Sequence, residues 1–278
     1  MKQNPFVKTI LAVLSTVRRI NRWLERCRIR VYAAQASFFM TISALPMMIL
    51  ILSLAGLILP QGGGEVRERL LSVLPTELNA LAETVLGEVQ EKANLSVLSV
   101  SAVTLLWSAS RGVRGIGAGI RNVCGGKRSP DPVAYHARYL LYTLLYIAAV
   151  LLSLVIWVFG DTIAARAAPG GPTRLLRLLN SSAFLILLVT VFLLTFRGMA
   201  GIPGKLFSQL PGAVFAAFGW LLYSRFFEFY IEHYANYSYI YGSLTSLIIV
   251  MLWLYACMEL LLIGAGLNML IARRVRVV

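Results

Sequence analysis

Residues Tyr241 to Leu270 read YGSLTSLIIVMLWLYACMELLLIGAGLNML, thirty positions with one charged side chain, Glu259, near the middle. A helix needs about 20 apolar residues to cross the hydrocarbon core of a bilayer, so this stretch predicts a transmembrane helix with length to spare. A carboxylate at that depth is costly and needs a partner, a proton or a water-filled neighbour. Glu259 is therefore the first candidate functional residue, with Tyr255 one helical turn away.

The composition agrees. The chain has 278 residues, 58% of them hydrophobic and 14% charged, which is too little polar surface for a soluble domain of this size. The net charge of +14 has two readings, nucleic-acid binding or orientation across a membrane, and the placement of the charges separates them. Cys27, Cys124 and Cys257 are too widely spaced for a disulfide framework or a zinc pattern, and His136 and His233 lie far apart. No metal site and no cofactor is expected. The apolar run Thr9 to Val17 is short and followed by Arg18 and Arg19, which does not describe a cleavable signal peptide.

Six membrane helices are expected, over residues 32–60, 95–120, 135–160, 175–197, 210–231 and 241–271, in one all-α membrane domain covering 1–278. Residues 1–31 precede them. There Phe6, Ile10, Val13, Leu14, Val17, Leu24, Cys27 and Val31 recur at helical spacing among arginines, predicting a basic amphipathic helix on the cytoplasmic membrane surface. The first span holds Pro46, which cannot donate to the carbonyl of Ile42 and predicts a kink. Gln35, Ser37, Thr41 and Ser43 lie on the same helix, where such residues often join helices. Residues 61–94 open on Gly62, Gly63 and Gly64 and hold six of the chain's 12 acids. Leu78, Leu81, Ala82, Val85, Leu86 and Val89 give this extracytoplasmic segment an amphipathic helix.

The second span runs into Arg111-Gly-Val-Arg-Gly-Ile-Gly-Ala-Gly-Ile-Arg121. The glycines miss the G-x-G-x-x-G spacing and follow no strand, so a phosphate loop is not indicated. A continuing helix is, with small residues admitting a close neighbour. On it Trp107, Arg111, Arg114 and Arg121 fall on one face. With six spans, 19 of the 26 Lys and Arg fall on the side of the termini and 7 opposite. Both termini are then cytoplasmic, and the charge excess becomes topological rather than a sign of nucleic-acid binding.

Tyr32–Phe39 (YAAQASFF) with Pro46, Leu106–Gly112 (LWSASRG), Leu210–Ala213 (LPGA) and Ala235–Ser238 (ANYS) recur in order along the chain. After them come Tyr241–Leu244 (YGSL), Leu252–Tyr255 (LWLY) and Leu262–Asn268 (LIGAGLN). In these stretches the sequence resembles the YihY family of bacterial inner-membrane proteins, which includes the virulence factor BrkB and was once labelled ribonuclease BN. The resemblance implies a six-helix bundle in the bacterial inner membrane. One position departs from it: the family usually ends with G-A-E-x-N, and Gly266 stands where that Glu would be. Glu259 is seven residues earlier on the same helix face, about 10.5 Å away.

Two functional readings follow. One is a transporter or flippase-like protein for an anionic, phosphate-bearing lipid or envelope precursor. Glu259, Tyr255, Arg111, Arg114, Arg121 and Gln35 are its candidate head-group residues, and membrane lipids its partners, with a homo-oligomer as a further expectation. The other is a non-transporting scaffold for envelope assembly, with Glu259 bonded to a neighbouring helix. Against a ribonuclease, the only close acid and histidine group is Glu228, Glu232 and His233, on the outer side where cytoplasmic RNA is absent.

Overall fold

The computed structural model describes residues 22–58, 95–126, 132–167, 173–200, 206–234 and 244–275. They are helical, with no strand among them. The long helices are α1 (Ile29–Ile58), α2 (Leu95–Cys124), α3 (Pro132–Ala167), α4 (Thr173–Met199), α5 (Leu210–Tyr234) and α6 (Leu244–Val275), with a 3-10 turn at Leu206–Gln209 before α5. The segment 61–94, with its expected amphipathic helix, lies outside the described residues.

Five of the helices are long and apolar enough to cross a membrane, through Ile29–Ile51, Val133–Ile156, Ser182–Met199, Leu206–Ile231 and Leu247–Ala272. The exception is α2, which carries five serines and three arginines. The physical reason is its position, because much of its surface meets protein: Ser108, Gly112, Val113, Gly115, Ile116, Gly117, Gly119 and Ile120 are buried.

Each helix packs on the next, and α6 closes the ring onto α1 while also touching α2. The α1–α2 pair is antiparallel. Ser43 Oγ donates to Ser108 Oγ at 2.9 Å, Gly112 and Gly115 lie against Ala36, and Asn122 Nδ2 donates to the carbonyl of Cys27 at 2.7 Å. Of the polar residues expected to join helices, Ser43 does so. Ser37 and Thr41 bond backbone carbonyls of their own helix.

Phenols and indoles fasten the remaining seams. Tyr142 donates to the carbonyl of Leu194, Tyr146 shares a hydrogen bond with Thr195, and Trp253 donates to Ser224. The core comprises Ile29, Ala33 and Ala36 of α1, Val113, Ile116 and Ile120 of α2, Tyr139 of α3, Phe192 and Phe196 of α4, and Met258, Leu261 and Leu262 of α6. Outside it, Leu141, Leu144, Phe218, Leu222, Phe226 and Leu252 point away from protein. Exposed apolar side chains on several helices suit hydrocarbon rather than water.

Of the amphipathic helix expected over residues 1–31, residues 1–21 lie outside the described residues. The described part is not continuous up to Val31: residues 22–26 are helical, Arg28 has a φ of 47° in the left-handed region, and α1 starts anew at Ile29. Trp23, Leu24 and Cys27 pack against the core. Helix α1 then runs unbroken through the buried Pro46.

Candidate functional site

Glu259 lies half-way along the apolar span of α6. Tyr255, one turn before it, donates its hydroxyl to Oε1 at 2.9 Å, and Nε of Arg30 stands 3.7 Å from the same oxygen. Arg30 comes from the first turn of α1. Sequence reasoning counted it among the basic residues of the amino-terminal arm and missed it as a partner. Only the α1–α6 contact, between opposite ends of the chain, brings the two together.

The arginines of α2 do not share one surface. Arg111 is exposed and stacks over Trp107 with 4.5 Å from guanidinium carbon to ring centroid, and over Phe39 of α1 at 5.7 Å. Arg121 turns toward α3, donating to the hydroxyls of Tyr139 and Tyr135, with both rings also within cation–π range. An offset of ten residues rotates a side chain by about 80° on a helix, enough to move it from one neighbour to another. The Tyr139 ring leaves no room for a side chain at Gly117, so the glycine run of α2 admits the aromatic ring that holds Arg121.

Arg114 lies between these two. Its Nη2 is 3.5 Å from Ser110 Oγ, while its Nε is buried without a hydrogen-bond partner. Neither Arg111 nor Arg114 forms an ion pair among the described residues. At 1.5 Å per residue they stand about 15 to 20 Å along α2 from its Cys124 end. Two guanidiniums without an ion-pair partner among the described residues form a region suited to an anion.

Gln35 is exposed and makes no hydrogen bond among the described residues. It lies one turn before Phe39, on the face of α1 turned toward Arg111 rather than toward Glu259. Of the group Glu228, Glu232 and His233, the Glu228 side chain is described, and it pairs with Arg225 at 3.0 Å.

Two further contacts organise the α2–α5–α6 end of the bundle. Asn268 is buried, accepts from the backbone N–H of Gly212 at 2.7 Å and donates to the carbonyl of Gln209 at 3.0 Å, so a side chain of α6 caps the first turn of α5. Gly212 and Gly264 face each other so closely that a β-carbon on either would strike the other's carbonyl oxygen. Gly266, the departure from the family pattern, is covered by the Trp23 indole. The space beside it holds an aromatic ring from the arm. The LIGAGLN stretch carried Asn268 and both glycines, but nothing in it named their partners.

A family profile, "Virulence factor BrkB", matches residues 21–277. The chain belongs to the virulence factor BrkB family. It is 28% identical over 247 residues to YfkH of Bacillus subtilis (strain 168), which is described as a ribonuclease-like protein, covering 87% of this chain and 90% of YfkH. A shorter match, 36% over 61 residues, covers 22% of this chain and 20% of a UPF0761 membrane protein of Pseudoalteromonas translucida (strain TAC 125). No solved structure matches the sequence. This BrkB-family chain is a membrane protein with several apolar helices.

Proposed function

We propose that this protein crosses the bacterial inner membrane six times with both termini in the cytoplasm, and moves an anionic, phosphate-bearing lipid or envelope precursor between leaflets. Counting α2 as the sixth span is supported by its antiparallel course along α1, an apolar span in its own right. The orientation is supported by the 19 to 7 division of Lys and Arg.

The observation that carries the transport reading is the Arg111–Arg114 pair. A guanidinium deep in a membrane bundle is ordinarily neutralised by a carboxylate. These two have no ion-pair partner among the described residues, and the Nε of Arg114 is a buried donor with nothing to accept from it. A phosphate supplies the charge and the acceptors together. The fork of Arg binds it in two-point fashion, which Lys cannot reproduce.

The test is lipid movement in vesicles reconstituted with the purified full-length chain. Arg111→Lys and Arg114→Lys should melt near the unaltered protein and lose transfer of a labelled anionic phospholipid. No transfer by the unaltered protein, or full transfer by both variants, overturns the proposal.

A second reading is favoured by a different observation. Arg30, Tyr255 and Glu259 tie α1 to α6 with side chains alone, the arrangement expected if Glu259 is a structural acid in a non-transporting scaffold for envelope assembly. Under that reading Glu259→Ala lowers the melting temperature and the unaltered protein moves no lipid. A ribonuclease reading is disfavoured by the proposed orientation, which puts Glu228, Glu232 and His233 on the outer side, away from cytoplasmic RNA.

A further inference from the structure

Both described partners of Glu259 use the same oxygen. Tyr255 donates to Oε1 and Arg30 stands beside Oε1, whereas Oε2 accepts no hydrogen bond among the described residues. The ion pair is also loose: its 3.7 Å separation exceeds the ~2.7–2.9 Å of a charge-assisted hydrogen bond, and its short approach is through Nε rather than through the paired fork. Both side chains keep contact with the surroundings, 53% of Arg30 and 27% of Glu259 being exposed. The α1–α6 seam therefore presents a positive and a negative group side by side, within a span where a free carboxylate oxygen calls for a donor.

The complement of that surface is a head group with a hydrogen-bonding cation next to an anion. We propose that Arg30 and Glu259 form a head-group site for a phosphatidylethanolamine-type lipid. The primary ammonium donates to Oε2 of Glu259, and a phosphate oxygen accepts from the Arg30 guanidinium. A choline head group lacks the N–H donors that Oε2 requires, and a purely anionic head group meets repulsion from the carboxylate. The site is separate from the Arg111–Arg114 pair, which neighbours Phe39 on another face of α1, and it does not depend on lipid movement.

The test measures which lipids remain bound when the full-length chain is purified from nanodiscs holding equal amounts of phosphatidylethanolamine, phosphatidylcholine and phosphatidylglycerol. The unaltered protein should retain phosphatidylethanolamine over phosphatidylcholine by about tenfold, the scale of one hydrogen bond to a charged group. Glu259→Gln should bring that ratio close to one. Glu259→Asp, which keeps a carboxylate, and Tyr255→Phe, which leaves Oε2 untouched, should keep a clear preference, so a folding defect in Glu259→Gln cannot hide the result. Arg30→Gln should lower retention of phosphatidylethanolamine.

Equal retention of the ethanolamine and choline lipids by the unaltered protein overturns the proposal. So does an unchanged ratio in Glu259→Gln, or loss of the preference in Tyr255→Phe. Displacement of the lipid by soluble O-phosphoethanolamine at comparable concentration would assign the site to a soluble zwitterion and overturn the lipid assignment. Because Arg111 and Arg114 are intact in every variant, transport by that pair can fail or succeed independently.

Discussion

The indole of Trp23 occupies the space that any β-carbon at Gly266 would need, and Val123 of α2 borders the same space. The arm before α1 is thus seated on α6 by an aromatic residue against a glycine, two turns from the point where Arg30 meets Glu259. Gly266→Ala should displace the ring at a cost of about 1–3 kcal/mol, the usual penalty for overfilling a packed site. Trypsin should then cut faster at Arg26 and Arg28. In the Trp23→Ala background the glycine substitution should add little, because the colliding group is gone. Fully additive losses in melting temperature would mean that the two residues do not share the site.

Asn268 and Gly212 give a second prediction. Asn268→Ala strands the buried N–H of Gly212, which should cost about 1–3 kcal/mol. Asn268→Asp retains the acceptor but loses the donor to Gln209, and should fall between the two. Gly212→Ala should be worse than either, since it strikes the backbone carbonyl of Gly264 and not merely the end of a flexible side chain. Thermal melts in detergent would rank the three, and a Gly212→Ala chain as stable as the unaltered one would contradict the close crossing of α5 and α6.

The arginines of α2 should separate by role. Arg121→Leu removes hydrogen bonds to two phenols and should destabilise the α2–α3 seam by about 2 kcal/mol, given the ~1.5–3 kcal/mol typical of a hydrogen bond to a charged group. Arg111→Leu loses stacking at an exposed site and should cost less than about 1 kcal/mol. Equal shifts in melting temperature would place Arg111 among the structural residues.

Thiol labelling tests the orientation and carries a pH dependence. Burial pushes the Cys27 thiol above its ordinary value. The thiolate is the reactive form, so at neutral pH Cys27 should label more slowly than an ordinary thiol, and its rate should keep climbing with pH beyond the point where an ordinary thiol levels off. An impermeant reagent should reach it only from the cytoplasmic side, and labelling in sealed right-side-out vesicles would reverse the topology. Sequence position alone makes Cys124 an equal reporter, but its side chain is buried with Sγ 3.8 Å from the carbonyl of Ala265. It should stay largely unreactive, as should Cys257, which is fully buried.

What the sequence determined by itself was the class of environment and the order of elements. A run such as Tyr241 to Leu270 has no stable home but a bilayer, because each apolar residue transferred from water contributes in the same direction and the sum is insensitive to neighbours. The helix through Arg111 to Arg121 was legible for a similar reason: with no strand before it and the wrong glycine spacing for a phosphate loop, backbone hydrogen bonding within the segment was the remaining choice. Sequence patterns also singled out Glu259 and Tyr255 as a pair, since residues one turn apart meet on any helix.

Which residues surround them follows from how the helices pack. Arg30 became the partner of Glu259, Tyr135 and Tyr139 took Arg121 away from the other arginines, and Trp23 filled the space at Gly266. Each outcome depends on the rotation and depth at which one helix meets another, and those are set by small residues such as Gly117, Gly212 and Gly264 at the crossings. A periodic pattern records which face of a helix is apolar. It carries no record of which helix will lie against that face, so the free oxygen of Glu259 and the unpartnered Nε of Arg114 became visible only once the helices had been brought together.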